Sequence, residues 1–170
     1  MKRGELREAQ RPLKERYREE PDTARLTLRA DGELGSEGIA CSVDTGRALV
    51  EAGLHPASGG DGALACSGDM LLQALVACAG VTLRSVAVNR DLEVTGRVVA
   101  EGDLDFRGTL GVDREAPVGF TAIRLRFELD SDATDDELDA LLETTERYCV
   151  VYQTLAGGVP LEVGRVRAGT

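Results

Sequence analysis

The stretch Asp69-Met70-Leu71-Leu72-Gln73-Ala74-Leu75-Val76-Ala77-Cys78-Ala79-Gly80-Val81-Thr82-Leu83-Arg84-Ser85-Val86-Ala87-Val88 decides the fold. Apolar side chains fill nearly every position, with Gln73, Thr82, Arg84 and Ser85 as polar interruptions. Good helix formers dominate it, and a helix apolar on all sides belongs at the centre of a fold or in an oligomer interface. The interruptions favour a buried core helix over a membrane span. Ser67 is placed to cap this helix, and Asp69 falls in its first turn, where the helix dipole favours negative charge. Ala74, Ala77, Ala79 and Gly80 are small enough for a neighbouring helix to approach closely.

On the N-terminal side a loop of turn formers, His55-Pro56-Ala57-Ser58-Gly59-Gly60-Asp61-Gly62, leads into the helix. Before it, residues 24–30 alternate as a strand does and end at the turn signal Asp31-Gly32. Residues 38–43 and 47–52 are further strands, so the three predict an antiparallel meander. On the C-terminal side, residues 91–100, 105–111 and 119–130 read as strands. The last is the clearest, because Ile123, Leu125, Phe127 and Leu129 alternate with Arg124, Arg126 and Glu128. Thr134-Asp135-Asp136-Glu137 is a capping box, behind which Leu138, Leu141, Leu142, Thr145, Tyr148 and Cys149 share one helical face. A further turn or two over residues 151–156 ends at Gly157-Gly158, and residues 159–166 read as a closing strand. Strand groups separated by single helices argue for α+β architecture with antiparallel sheets. Sheets from two subunits wrapped around paired central helices would cover apolar helices on every side.

The 170 residues suit one domain, with residues 1–22 as a charged leader, helical or frayed, and 23–170 as the folded unit. Residues 1–20 carry seven basic and five acidic side chains, so the rest of the chain holds a net charge of −12 within the overall −10. So acidic a body repels phosphate backbones, and nucleic acid is not an expected partner. No membrane association is expected either. The first twenty residues have no apolar run of the signal-peptide kind, and four cysteines in such a chain suit a reducing compartment, so the expected location is cytoplasmic.

Chemistry narrows to cysteine. There is no Cys-x-x-Cys, no phosphate-binding loop and no Cys/His metal cluster, and His55 is the single histidine. A triad hydrolase would have to use His55, yet no nucleophile elbow accompanies it. A nucleophilic thiol needs access and a lowered pKa from a cation or a helix N-terminus. Cys78 lies about nine residues into its helix, too deep for its own dipole, so a side chain from elsewhere, an arginine, is the expected activator. By spacing alone, Cys78 and Cys149 read as inert core residues ahead of a redox pair, while Cys41 and Cys66 read as structural.

Gly59-Gly60-Asp61-Gly62, followed by the helix from Asp69 that reaches Cys78 nine residues on, resembles the signature of the OsmC/Ohr family of osmotically inducible and organic-hydroperoxide-resistance proteins. The segment Glu146-Arg147-Tyr148-Cys149-Val150-Val151-Tyr152-Gln153-Thr154-Leu155 resembles that family's second-cysteine element, and the likeness runs from about Leu26 to Val166. The resemblance implies an intertwined homodimer with two central helices between antiparallel sheets. It implies a thiol peroxidase in which Cys78 attacks the hydroperoxide and becomes a sulfenic acid, Cys149 resolves it to a disulfide, and an external dithiol restores both thiols. Asp69 takes the place of the family's glutamate, which orients an activating arginine, and Arg47, then Arg29, stand nearest to that arginine's expected position. Cys66 is a second possible resolving thiol, and no cofactor or metal is expected. An aliphatic core with 4% aromatics suits alkyl or lipid hydroperoxides. The alternative is a dimer of this kind that has lost peroxidase activity and binds a small apolar ligand.

Overall fold

The computed structural model describes residues 3–34, 41–43, 52–63 and 65–165. A helix, α1 (Arg3–Glu19), is followed by a 3-10 turn (Pro21–Ala24), the strands β1 (Arg25–Leu34), β2 (Cys41–Val43) and β3 (Ala52–Gly53), and a second 3-10 turn (Pro56–Ser58). Then come β4 (Ala65–Cys66), the long helix α2 (Ser67–Asn89), β5 (Thr95–Asp105), the short helix α3 (Phe106–Thr109), β6 (Phe120–Asp130), α4 (Asp135–Tyr148) and α5 (Val150–Gly157). This is a mixed α/β fold built on an antiparallel sheet.

The main sheet runs in the order β2-β1-β5-β6, every neighbour antiparallel, and β3 pairs with β4 in a small parallel ribbon. In β5 and β6, Val98, Ala100, Ile123, Leu125, Phe127 and Leu129 form one face, and α2 packs on it through Leu72, Leu75, Val76, Ala79, Leu83 and Ala87. The opposite face is a charged lattice. There Arg97 binds Glu128 at 2.7 Å, Arg124 binds Asp103 at 2.6 Å and Arg126 binds Glu101 at 3.3 Å. The period-two alternation read in residues 119–130 is therefore the division between core and solvent.

On composition α2 could cross a membrane, with a mean hydropathy of 1.8 over its most apolar window, but half of that window is buried within the fold. Its polar interruptions have structural employment: the buried Arg84 donates from Nη1 to the Val94 carbonyl at 2.9 Å, ahead of β5. A second, smaller core joins α1 to the loop before α2. Tyr17 is fully buried beside Phe106 and Leu110, and its hydroxyl donates to the Ala57 carbonyl at 2.8 Å.

The structure corrects several local expectations. The helix starts one residue earlier than Ser67 as cap implied, with Cys66 at N-cap and no side-chain capping bond. Residues 105–111 are not a strand; β5 runs unbroken to Asp105, whose carboxylate accepts from the Arg107 amide and starts α3. Residues 159–165 form no strand, and Val163 is 98% exposed. The capping box of α4 is formed in both directions, with the Thr134 amide donating to Glu137 at 2.9 Å and the Glu137 amide donating to Thr134 at 3.4 Å. The strand expected over residues 47–52 lies outside the described residues except for Ala52 in β3.

Candidate active site

Two helices bring the distant cysteines together. Cys78 lies midway along α2 and is partly accessible; Cys149 lies at the junction of α4 and α5 and is 1% exposed. Their thiols are neighbours, each acting on the titration of the other. Cys149 is not inside a continuous helix, as the periodic stripe from Leu138 suggested. Its backbone is extended (φ −74°, ψ 107°), so it ends α4 and begins α5 as the N-cap, its sulfur accepting from the Tyr152 amide at 3.5 Å. The β-branched pair Val150-Val151, which weakens helix propensity right after Cys149, is the signal in the sequence for that break. Tyr148, expected on the core-facing stripe, is 61% exposed, because the helix ends there and the ring projects past the core.

The break supplies what the helix of Cys78 cannot. Burial raises the Cys78 thiol, but donation from the Val151 amide, the Cys149 thiol, the Thr82 hydroxyl and the Val150 amide outweighs it and holds the thiol below its usual range. Val150 and Val151 are the first two residues of α5, whose amides have no acceptor within the helix and carry the positive end of its dipole. Among the described residues, the backbone groups that lower Cys78 thus belong to the first turn of another helix. Cys149 moves the other way. Burial, only partly offset by the Tyr152 amide, together with the neighbouring Cys78, pushes it up to about 11.

Of the other expected site residues, Asp69 stands nine residues before Cys78 on the same helix. Asp69 is in the first turn of α2, where burial raises its carboxyl and nearby His55 partly offsets the rise. His55 stacks on Phe106 at 5.1 Å between centroids, and its Nδ1 accepts the Ala57 amide at 3.0 Å, which caps the 3-10 turn. Gly59 ends that turn with φ +94°, and a Cβ on Gly60 would run into the Leu54 carbonyl, so both motif glycines serve a tight loop ahead of α2. Arg29 lies opposite Glu101 in the backbone register of β1 and β5. Arg47 lies outside the described residues. Cys66, at the N-cap, is twelve residues before Cys78 on the same helix, about 18 Å along the axis. A disulfide needs Cα atoms within about 7 Å, so Cys66 does not resolve Cys78 in the same chain.

One helical turn from each cysteine, Leu75 and Tyr152 open onto a cleft of about 760 Å³ lined also by Phe120, Ile123, Leu125, Phe127 and Leu142. Its lining is mainly apolar, with Thr121, Arg126, Glu128 and Glu146 as polar members; the Glu146 charge and burial raise the Tyr152 phenol.

Residues 60–164 match the OsmC-like protein family. The chain belongs to that family. Among solved structures, an OsmC-like hydroperoxide resistance protein from Jannaschia sp. CCS1 superimposes with a TM-score of 0.56, covering 86% of this chain and 95% of that one at 16% identity. At that identity the likeness establishes a common OsmC-like fold. Among curated proteins no significant match is found. The family match takes in α2 with Cys78 and the α4–α5 junction with Cys149, the two elements on which the resemblance in the sequence rested.

Proposed function

We propose that this OsmC-like chain is a thiol-dependent peroxidase that reduces hydroperoxides, organic ones above all, through Cys78 and Cys149. The observation that carries the reading is the neighbouring thiol pair with opposite tendencies, Cys78 held toward thiolate and Cys149 kept protonated. The Cys78 thiolate attacks the terminal peroxide oxygen; the S–O bond forms as the O–O bond breaks, and the leaving alkoxide takes a proton to depart as alcohol. Cys149, deprotonated as it attacks the resulting sulfenic acid, forms the S–S bond and releases the oxygen as water. A dithiol from outside the chain reduces the disulfide by exchange.

Activation by the α5 amides supports this chemistry without a cation, and the arginine implied by the resemblance is proposed as an addition to them, Arg47 first and Arg29 second, with Asp69 orienting it. The apolar cleft beside Leu75 and Tyr152 favours alkyl chains over hydrogen peroxide alone. We also propose a cytoplasmic homodimer with the α2 helices central to it. The same cleft would suit the second reading, a binder of small apolar ligands without turnover, since neither sulfur lines it.

Thiol titration separates the two. One equivalent of cumene hydroperoxide is expected to remove two free thiols per chain and to give a Cys78–Cys149 disulfide in peptide maps, and Cys78→Ser is expected to abolish both. Unchanged thiols, or a Cys78→Ser variant that consumes peroxide as fast as wild type, would leave the ligand-binding reading standing alone.

A further inference from the structure

The pairing of β5 with β6 departs from regularity at one place. Counting back from Ile123 and Leu125, which pack on the core with α2, regular alternation would put Thr121 on that face and Phe120 on the charged one. A β-bulge reverses this. Asp103 still pairs with Ala122, but the next residue, Leu104, pairs with Phe120 and skips Thr121. Thr121 is left exposed, its hydroxyl donating to the Asp103 carbonyl at 3.1 Å, and Phe120 turns onto the core face. Opposite Ile123 stands Gly102, a buried glycine inside a strand, where glycine weakens the sheet and often marks a close approach. A Cβ there would run into the Phe120 ring, 2.6 Å from its Cδ1. Two departures, a bulge and a glycine, serve the placement of one aromatic ring.

That ring stands at one end of the strand wall of the apolar cleft. Ile123, Leu125 and Phe127 line the cleft at every second residue, which makes a straight trough between β6 and the helices α4 and α5, which add Leu142 and Leu155. Phe120 is the first residue of β6, and no residue of the segment 109–119 before it lines the cleft. A straight trough with apolar walls suits an unbranched alkyl chain, and each methylene laid in it adds affinity until the chain meets the ring. We propose that Phe120, seated on Gly102, is the end stop of this cleft and sets the longest unbranched alkyl chain that the protein binds. This rests on the cleft as the binding site, which both readings above share, and not on turnover at Cys78.

The test is displacement of Nile red from the full-length reduced protein by straight-chain alcohols, from hexanol to tetradecanol, for wild type, Phe120→Ala and Gly102→Ala. In wild type, affinity is expected to rise about fourfold per added methylene and then to level off at one chain length. The levelling is expected at a longer chain in Phe120→Ala, where the end is open. It is expected at a shorter chain in Gly102→Ala, where the new Cβ lifts the ring into the cleft; should that variant not fold, Phe120→Ala decides alone. Affinity that climbs without levelling in wild type, or levels at the same length in Phe120→Ala, would overturn the end stop and leave the cleft as the site. Alcohols that displace nothing from wild type would overturn the cleft as the site and the end stop with it, while turnover at Cys78 is read separately by the thiol titration.

Discussion

Burial acts on both sulfurs in the same sense, raising each, so the difference between them comes from what donates to each one. Cys78 is lowered by the Val151 and Val150 amides, a hydroxyl and a thiol, whereas Cys149 is lowered by the Tyr152 amide at 3.5 Å and, less, by that of Val151, against heavier burial and a neighbour already inclined to negative charge. The pair titrates as a unit, the first proton leaving early and the second late. Stability follows with opposite signs. A folded thiol held below its unfolded value stabilises above that value and loses the contribution as pH falls through the folded one, which is the case of Cys78. A folded thiol held above its unfolded value stabilises below it and loses the contribution as pH rises, which is the case of Cys149, at about 11 against an unfolded value of about 8.5. The expected outcome is that the reduced protein loses unfolding free energy between about pH 8.5 and 11 more steeply than Cys149→Ala does. Urea titrations at several pH values check it, and parallel slopes for the two proteins would refute it.

At the scale of elements, the device is a helix that stops one residue short of continuing. α4 ends at Tyr148, Cys149 is extended, and the eight residues of α5 start afresh with their free amides at Cys78. Proline is tolerated in the first turn of a helix because the amide it lacks has no acceptor within the helix. Val151→Pro therefore deletes the first-ranking donor to Cys78 while leaving α5 able to form. Alkylation of Cys78 at pH 7 is expected to slow about tenfold relative to Val151→Ala, with α5 retained in amide-exchange measurements. Equal rates in the two variants would show that the amide does not activate the sulfur. This device was hard to read in the sequence, because Leu138, Leu141, Leu142, Thr145 and Cys149 keep helical periodicity straight through the break. Periodicity reports which face is buried, and the buried face continues although the helix does not. The capping box was legible for the opposite reason: Thr134 and Glu137 satisfy each other within four residues, with no need of the rest of the fold.

For the whole molecule, the main elements followed from local pattern where a chain segment is covered by its own chain, as α2 is by β5 and β6, but not at residues 105–111, where the buried Phe106 and Leu110 belong to α3 and the turn after it instead of a strand. Local pattern failed again at residues 159–165, where Val159, Leu161 and Val163 alternate as a strand would but stand exposed, without a partner strand among the described residues. Alternation states that a face wants burial and not what will bury it. The same is true of Val81, Val88, Tyr148 and Val150, apolar residues left exposed on α2 and around the α4–α5 junction. A second copy of the chain is the proposed cover, and a stable contact of that kind removes roughly 1,200–2,000 Å² from water. Light scattering is then expected to give twice the chain mass of 18.1 kDa, and Val88→Glu with Leu161→Glu to return it to one chain. A wild-type mass of one chain at micromolar concentration would refute the dimer. The double variant also shows how the site is shared. An alkylation profile at Cys78 that survives dissociation means that α5 of the same chain suffices to activate the sulfur. A profile displaced to higher pH means that the partner supplies a further donor, and the arginine expected from the N-terminal strands becomes the first candidate for it.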